Sequence, residues 1–397
     1  MSHFLFMSLA DRGHVFPQLA VATELIRKGH RVTCATGESM AELVQQAGAT
    51  MLPCASRFDK TDLYELITAT DVSLMLDAML DDSVEMFNEV RARFDDERPD
   101  LLVYDAYSFQ VGRVLDHVWG IPTVEWAPTL VSNEHWSYPD AILAMDSTAD
   151  LDTSGFEALY GRIFALLTDH GIEDPMRTLN TPHDRTLVPI PQAFQVAGET
   201  FDQRFAFVGP CLGERASLAE WTPPSSGLPT VLVSFGTVFN RQPEFFRTVV
   251  RAFTGVPWHV VITTGGGFDT AELGPLPANI EVHQWISHLS VLEHAQVFVT
   301  HGGMGSMMEA LHEGRPMVVI PQDRSSRPVA RQVGELGLGR VMQPAEVTAQ
   351  TLRDAVLEVA ASRQIDESVR TMQRQVREAG GAVRAAEHLE NYLAGRR

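Results

Sequence analysis

The chain has 397 residues, 45% of them apolar, and a formal net charge of −20 at pH 7. This length exceeds what one core usually supports, so we expect two domains. The negative charge argues against nucleic acid and anionic membranes as partners, because both would repel the chain. Its three cysteines (Cys34, Cys54 and Cys211) form no Cys-x-x-Cys pair, which indicates reduced thiols in a cytoplasmic protein. No apolar run is long enough to cross a bilayer.

Strands and helices are predicted to alternate through a first domain, residues 1–208. Residues 3–9 predict a strand, a helix is expected to open at Pro17 and run to residue 28, and a second strand covers 31–36. Apolar runs at 100–105 and 122–126 predict two more strands. Residues 209–229 are rich in proline and glycine, which predicts a linker.

A second alternating series is predicted for residues 230–380. Its strands are expected at 230–235, 259–263, 280–283, 296–300 and 317–320, each almost continuously apolar, as buried parallel strands are. Residues 381–397 carry apolar side chains at helical spacing, and this helix is expected to pack back on the first domain. The pattern predicts an α/β protein with two parallel sheets.

The most informative motif is a glycine-rich turn between a predicted strand and a predicted helix. It reads His301-Gly302-Gly303-Met304-Gly305-Ser306, and we call residues 301–306 the phosphate cradle. Glycines let the backbone approach an anion, and a helix N-terminus offers unpaired N–H groups to it. Trp285 could stack on a base, and Glu309 has two oxygens suited to ribose hydroxyls. Ser306-x-x-Glu309 is also typical of a capping box without a ligand.

Two residues at predicted strand ends of the first domain suggest a proton-transfer pair. His14 follows the first strand and Asp105 ends a later one, so both should lie at the same edge of the sheet. A histidine oriented by a carboxylate can take a proton from an attacking hydroxyl. The same residues also fit a loop histidine and a helix cap.

The second domain has a matching turn at residues 234–237. Gly236 would permit a tight turn after the strand that contains Ser234, and the Thr237 hydroxyl and N–H could bind a phosphate. A turn closed by a hydroxyl cap is the alternative interpretation. His301 is predicted at the same edge of the same sheet, which favours a shared site.

These motifs, in this order, resemble the inverting nucleotide-sugar glycosyltransferases of family 1, within them the bacterial macrolide and polyketide antibiotic glycosyltransferases. The resemblance covers essentially the whole chain and implies the GT-B fold, two Rossmann-like domains facing a central crevice. It implies that His14 is the general base and that Asp105 orients it. It also implies that Trp285 stacks on the base, that Glu309 holds the ribose, and that the diphosphate contacts Thr237, His301, Gly303, Gly305 and Ser306.

Two segments depart from the family pattern. Many relatives carry Trp-x-Pro-Gln at the stacking turn, whereas this chain has Trp285-Ile286-Ser287-His288, so an imidazole replaces the usual glutamine. After Gln322, relatives that use uridine diphosphate glucose often have a carboxylate–amide pair, whereas here Ser325 and Ser326 stand at those positions, with Asp323 earlier. The implied donor set therefore also includes Ser234, Gly236, Ile286, His288, Gln322, Ser325 and Ser326.

The resemblance assigns acceptor recognition to the first domain. Five large apolar side chains there are candidates for an acceptor pocket, although each also fits a core position: Phe58, Met75, Met79, Trp126 and Trp136. The expected partners are an apolar natural-product aglycone and a dTDP- or UDP-sugar as cosubstrate, with no further cofactor. A homodimer is compatible with the sequence.

Other functions fit the sequence less well. A nicotinamide dehydrogenase should have a Gly-x-Gly-x-x-Gly motif after the first strand, and this motif is absent there. Gly303 and Gly305 begin such a pattern, but Met308 stands where its third glycine should be. A metal-dependent transferase would need an Asp-x-Asp motif at a strand end, but Asp150 and Asp152 lie in a polar segment. A nucleotide-sugar epimerase and a non-catalytic glycosyltransferase-like binding partner stay open. We expect a metal-independent hexosyl or deoxyhexosyl transfer with inversion.

Overall fold

The computed structural model describes residues 1–60, 63–68, 71, 73–145, 155–213 and 219–396. The chain divides into two compact units. The first comprises Met1–Ser137, Ser147–Gly213 and Ala379–Arg397, and the second comprises Tyr138–Asp146 and Glu214–Glu378. In the described residues, no helix combines the length and apolar character that a membrane span requires.

The first unit is built on a parallel sheet of seven strands in the order β3-β2-β1-β4-β5-β6-β7. Its strands are β1 (His3–Met7), β2 (Arg31–Gly37), β3 (Thr50–Cys54), β4 (Leu101–Asp105), β5 (Thr123–Trp126), β6 (Thr186–Val188) and β7 (Phe205–Phe207). The strands at 3–9, 31–36, 100–105 and 122–126 were predicted, and their ends differ by one or two residues. The sequence pattern missed β3, β6 and β7.

The helices between β1 and β8 are α1 (Arg12–Arg27), α2 (Ala41–Gln46), α3 (Leu63–Thr68), α4 (Ser73–Phe94), α5 (Phe109–Trp119), α6 (Tyr138–Ala144), α7 (Phe156–Asp169) and α8 (Pro175–Asn180). The strands are buried on both faces because alternate side chains enter two cores. Phe4 and Phe6 of β1 point into one core, while Leu5 and Met7 point into the other, against α4 and α5.

The second unit has a parallel sheet of six strands in the order β10-β9-β8-β11-β12-β13. These are β8 (Thr230–Ser234), β9 (His259–Thr263), β10 (Ile280–His283), β11 (Ala295–Thr300), β12 (Met317–Val319) and β13 (Gly339–Val341). The remaining helices are α9 (Pro243–Phe253), α10 (His288–Leu292), α11 (Met304–His312), α12 (Ser326–Glu335), α13 (Ala349–Ala361), α14 (Arg363–Glu378) and α15 (Gly381–Arg396).

Helix α15 returns to the first unit, as the sequence predicted. Leu389 and Leu393 are buried in the same core as Phe4, and each buried leucine contributes roughly 1.5–3 kcal/mol to stability. Glu390 accepts from Lys28 Nζ at 2.5 Å and from His30 Nε2 at 3.0 Å. The end of the chain is therefore part of the first unit.

Two segments that the sequence placed elsewhere belong to the second unit. Residues of α6 lie within the predicted first domain, yet α6 packs on α12. The later part of the predicted linker is fixed by Trp221, which is buried and donates its indole N–H to Glu281 Oε1 at 2.5 Å.

Strand order explains where functional side chains can gather. In each sheet the first strands are added toward one edge and the later strands toward the other edge. The change occurs between β1 and β4 in the first sheet and between β8 and β11 in the second. Ligands of open α/β sheets bind beyond the carboxyl ends of strands at such a switch point. The register pairs Met7 with Tyr104, and Ser234 with Thr300, so the segments that follow these strands leave side by side.

Candidate functional site

Helix α1 carries His14 in its first turn. The Asp11 side chain caps the helix by accepting from Gly13 N at 2.7 Å, so the helix begins at Arg12 rather than at Pro17. Pro17 lies inside the helix, where it lacks the N–H that would bond to the carbonyl four residues earlier. The prediction of a helix start at Pro17 was wrong because Asp11, six residues earlier, caps the helix.

Asp105 holds the imidazole of His14 in a defined orientation. The distance from His14 Nδ1 to Asp105 Oδ2 is 2.7 Å, and the other oxygen of Asp105 accepts from Tyr107 N at 2.9 Å. Asp105 is fully buried, whereas 19% of the His14 side chain is exposed. With Nδ1–H donating to the carboxylate, Nε2 is the ring nitrogen that can take a proton.

The surroundings of His14 favour its charged form. Burial lowers the pKa, but the charge of Asp105, its hydrogen bond and the charge of Asp11 together outweigh burial and raise the pKa of His14 to about 9. The ring of Tyr107 lies edge-on to the imidazole, with 5.0 Å between ring centroids. His14 and Asp105 therefore form an ion pair when the imidazole is protonated.

The phosphate cradle follows β11, and its helix begins earlier than the sequence indicated. Helix α11 begins at Met304 and is preceded by Gly303, and no side chain caps it. Ser306 lies inside the first turn, where its hydroxyl donates to Gly303 O at 3.3 Å. The capping box suggested by Ser306 and Glu309 is thus not formed, and the N–H groups of this turn are not capped by a side chain.

His301 lies against two glycines that leave room for its ring. A Cβ added at Gly303 would lie 2.6 Å from His301 Nε2, and one added at Gly236 would lie 2.7 Å from His301 Cε1. Gly236 also has a φ of 70°, which a side chain would disfavour. Among the described residues, the buried Nδ1 of His301 has no hydrogen-bond partner.

His301 is neutral near pH 7. Burial lowers its pKa, the charge of Asp323 partly opposes this, and His288 lowers the pKa further, to about 4. A neutral imidazole has one N–H donor and one acceptor nitrogen. An orphaned buried nitrogen of this kind is costly unless a ligand or water satisfies it.

The turn after β8 lies beside the cradle, as their shared sheet edge predicted. Ser234 is buried, and its hydroxyl accepts from Gly236 N at 3.3 Å. Thr237 is exposed. Asn240 fixes the turn by donating to the carbonyls of Gly236 and Thr237 at 3.2 and 3.1 Å.

The stacking turn presents one aromatic face and one buried anchor. Trp285 is 40% exposed, while Ile286 is buried. His288 Nε2 lies 3.0 Å from Thr263 Oγ1, and its Nδ1 lies 3.6 Å from Oε2 of the buried Glu309. The imidazole that replaces the usual glutamine is therefore held by the protein itself and lies beside Glu309.

The turn at residues 322–326 is organised by Asp323. Its carboxylate accepts from the backbone N–H groups of Ser325 and Ser326 at 3.1 and 3.2 Å and from the Ser325 hydroxyl. Ser326 is buried and its hydroxyl donates to Asp323 O at 2.9 Å, so this hydroxyl has a partner within the protein, and its contact with a sugar stays a prediction. Gln322 accepts from Gln242 Nε2 at 2.8 Å.

The five acceptor candidates divide into two groups. Trp126 has no exposed surface and packs with Val124 in the core, because β5 points these alternate residues to the same face. This position agrees with the core alternative for Trp126, and its contact with an acceptor stays a prediction. Phe58, Met75, Met79 and Trp136 are partly exposed, which is compatible with contacts to a ligand.

A metal centre in the described residues would need several ligating side chains close together. Within these residues, no group of three histidine, cysteine, aspartate or glutamate side chains could hold a metal ion. The Asp150 and Asp152 pair considered above lies outside the described ranges.

Sequence reasoning missed three residues that shape the candidate sites, two in the first unit and one in the second. Asp11 caps α1 and raises the pKa of His14, and its Asp-x-Gly pattern before a helix was the available signal. Asn240 fixes the turn after β8, and the ring of Tyr107 contacts the imidazole of His14. No sequence pattern predicts either contact.

Comparison with known proteins reveals relatives over the whole chain. Residues 248–383 match the family described as erythromycin biosynthesis protein CIII-like, C-terminal domain. The demethyllactenocin mycarosyltransferase of Streptomyces fradiae is 35% identical over 99% of this chain and 87% of its own length. The NDP-glycosyltransferase YjiC of Bacillus licheniformis is 33% identical, with 99% and 98% covered. The crystal structure of CalG4, the calicheamicin glycosyltransferase, is 37% identical with a TM-score of 0.87, covering 99% of this chain and 98% of that one.

Proposed function

The chain belongs to the family 1 glycosyltransferases with the GT-B fold, in the group that includes antibiotic glycosyltransferases, and from this premise we propose that it transfers a hexosyl or deoxyhexosyl group from a dTDP- or UDP-sugar to a hydroxyl of an apolar natural product. The observation that carries the proposal is the 2.7 Å hydrogen bond between His14 and Asp105. A hydroxyl is a weak nucleophile, and a positioned base is what activates it.

We propose His14 as that base. Nε2 takes the proton of the acceptor hydroxyl while the hydroxyl oxygen attacks the anomeric carbon and the nucleoside diphosphate leaves with the bonding electrons. Asp105 stabilises the imidazolium that forms and keeps Nδ1 as the donor nitrogen. One displacement of this kind inverts the anomeric configuration, so an α-linked donor gives a β-linked product.

The leaving diphosphate needs positive charge or hydrogen-bond donors. His301, the Thr237 hydroxyl and the uncapped N–H groups at Gly303, Met304 and Gly305 supply donors that are fixed before the reaction starts. We propose that these groups replace a metal ion. The exposed indole of Trp285 stacks on the base, and Glu309, beside His288, binds the ribose.

The donor preference follows from the turn at Asp323. A carboxylate–amide pair would hold the hydroxyls of glucose strongly, and leaving that pair unmatched would penalise a deoxysugar. Here the Asp323 carboxylate already accepts from Ser325 and Ser326, which reduces its availability to a sugar. We therefore propose a dTDP-linked deoxyhexose over UDP-glucose. A kcat/KM at least tenfold higher for UDP-glucose would contradict this, and loss of that preference in Asp323→Ala would assign the contact to Asp323.

The experiment that tests the function is a transfer assay. Purified protein is incubated with dTDP- and UDP-sugars and a mixed aglycone library, and products are identified by mass spectrometry. His14→Ala should lose turnover by roughly 10²–10⁴ while it still binds nucleoside diphosphate. The matched control is His117→Ala, an exposed histidine on α5.

Four outcomes would contradict the proposal. Wild-type turnover in His14→Ala, with chemistry rate-limiting, would show that His14 is not the base. Retained anomeric configuration in the product would rule out a single displacement as the mechanism. Absence of transfer with binding of nucleotide sugar intact would favour a non-catalytic binding partner, and conversion of the donor to another nucleotide sugar would favour an epimerase. Excess chelator should leave the wild-type rate unchanged.

A further inference from the structure

Helix α6 joins the second unit although the chain on either side of it belongs to the first. It packs on α12, the helix that begins directly after the Asp323 turn. A helix of seven residues is about 10 Å long, so α6 can reach only a short stretch of its neighbour. The contacts show which stretch this is.

Both ends of α6 bond to the beginning of α12. At its first residue, the Tyr138 hydroxyl donates to Ser325 O at 2.6 Å. Just after its end, the Met145 carbonyl accepts from Arg327 Nη1 at 3.4 Å. Helix α6 therefore lies across the residues that connect Asp323 to the first turn of α12.

The Tyr138 bond and the Asp323 carboxylate hold the same peptide of that turn from opposite sides. Asp323 accepts from the N–H groups of Ser325 and Ser326 and from the Ser325 hydroxyl, so it holds the peptide between the two serines at its N–H side. The short hydrogen bond from the Tyr138 phenol to the Ser325 carbonyl holds the other side of this planar peptide, so that its C=O and its N–H both have a side-chain partner. The exposed Ser325 side chain is thus held from its backbone on one side and from its hydroxyl on the other.

We propose that Tyr138 is a positioning residue for the hexosyl part of the nucleoside diphosphate sugar, acting through Ser325. This inference rests on the proposed function, because it assigns the Asp323 turn to the sugar. The nucleotide part is held elsewhere, by Trp285 and the phosphate cradle. Loss of the Tyr138 hydroxyl should therefore affect ligands that carry a sugar and spare ligands that lack one.

The test compares free dTDP with dTDP-glucose, each titrated by calorimetry into full-length wild type and Tyr138→Phe. One hydrogen bond of this kind corresponds to about 2–10-fold in an equilibrium constant. We expect the Kd of dTDP-glucose to rise by about that factor and the Kd of dTDP to stay within about twofold. In turnover, KM for the donor should rise more than kcat falls. Tyr160→Phe, on the exposed face of α7, is the matched control and should match wild type in both titrations.

The outcomes separate this inference from the proposed function. Unchanged affinity for dTDP-glucose in Tyr138→Phe would overturn the positioning role, even if the wild-type protein transfers sugar normally. An equal loss for dTDP and dTDP-glucose would also overturn it, because the residue would then support the unit as a whole. The two titrations need no turnover, so failure of the transfer assay would count against the proposed function alone. UDP and UDP-glucose form a second pair for the same comparison, and a thermal melt checks that Tyr138→Phe is folded.

Discussion

The replacement Asp105→Asn tests how the carboxylate acts on His14. In the wild type the pKa of His14 is raised to about 9, so only about 1% of the imidazole is in its basic form at pH 7 and about half at pH 9. If His14 is the base, kcat/KM should rise by roughly 50-fold over these two pH units. The elevation from the ordinary 6.5 corresponds to about 3 kcal/mol in favour of imidazolium.

In Asp105→Asn the charge and the charged hydrogen bond are lost, while burial, the largest single influence on His14, remains and lowers the pKa. The variant should then be mostly in its basic form above pH 7, with a kcat/KM that is low and flat. The ratio of wild-type to variant kcat/KM should therefore widen by roughly 50-fold between pH 7 and 9.

The assay measures kcat/KM for a slow acceptor, so that chemistry limits the rate, at intervals from pH 6 to 10. Taking the ratio of the two proteins cancels the titration of the acceptor and of the nucleotide. An NMR titration of His14 in both proteins gives the pKa values independently. A ratio that stays constant from pH 7 to 9 would refute the reasoning, since Asp105 would then support activity without acting on the protonation of His14.

Three further predictions concern affinity and stability. Trp285→Ala and His301→Ala should each raise the Kd of dTDP, stacking alone being worth about 0.5–1.5 kcal/mol, and wild-type affinity in both would place the nucleotide elsewhere. Gly303→Ala should displace the His301 ring and lower the Tm of the free protein. Gly305→Ala should leave the Tm unchanged because its Cβ meets open space, and equal Tm values for the two variants would contradict the packing of His301 on Gly303. The raised pKa of His14 stabilises the fold fully below pH 6.5, and this contribution is lost as pH rises towards 9. The free energy of unfolding should fall over that window in wild type more than in His14→Ala, as measured by urea denaturation.

The sequence predicted nine strands, among them the three-residue β12, whose apolar run is extended by Ile320, and missed four that lie at or next to a sheet edge. Strands β6, β7 and β13 have three residues each, too few for a periodic pattern. Strand β3 contains Pro53 and is only partly buried, so it lacks the continuous apolar run of a central strand. The pairing of His14 with Asp105 could be predicted because parallel strands bring their carboxyl ends to one edge.

Local hydrogen bonds explain most of the differences at the site. Ser326 has a hydroxyl that could face a ligand, but this hydroxyl donates to the nearby Asp323 carbonyl. Serine side chains next to a turn often bond to the local backbone in this way. Trp126 fitted both a pocket position and a core position. In the structure its side chain lies in the core with that of Val124, on the same face of β5. The position of α6 depends on contacts with residues almost two hundred positions later, which no local pattern encodes.

The return of α15 has a consequence for how this protein can be made in a cell. Most of the first unit is translated before the second unit, yet part of its core, including Leu389 and Leu393, is supplied by α15, which is translated after the second unit. The nascent N-terminal half must wait, with apolar surface uncovered, until the intervening unit has been synthesised. Such long-range closure slows folding and leaves intermediates open to aggregation. Hybrid proteins made by exchanging halves should therefore carry the terminal helix with the N-terminal parent, because a junction in the middle of the chain alone would pair that core with a foreign helix.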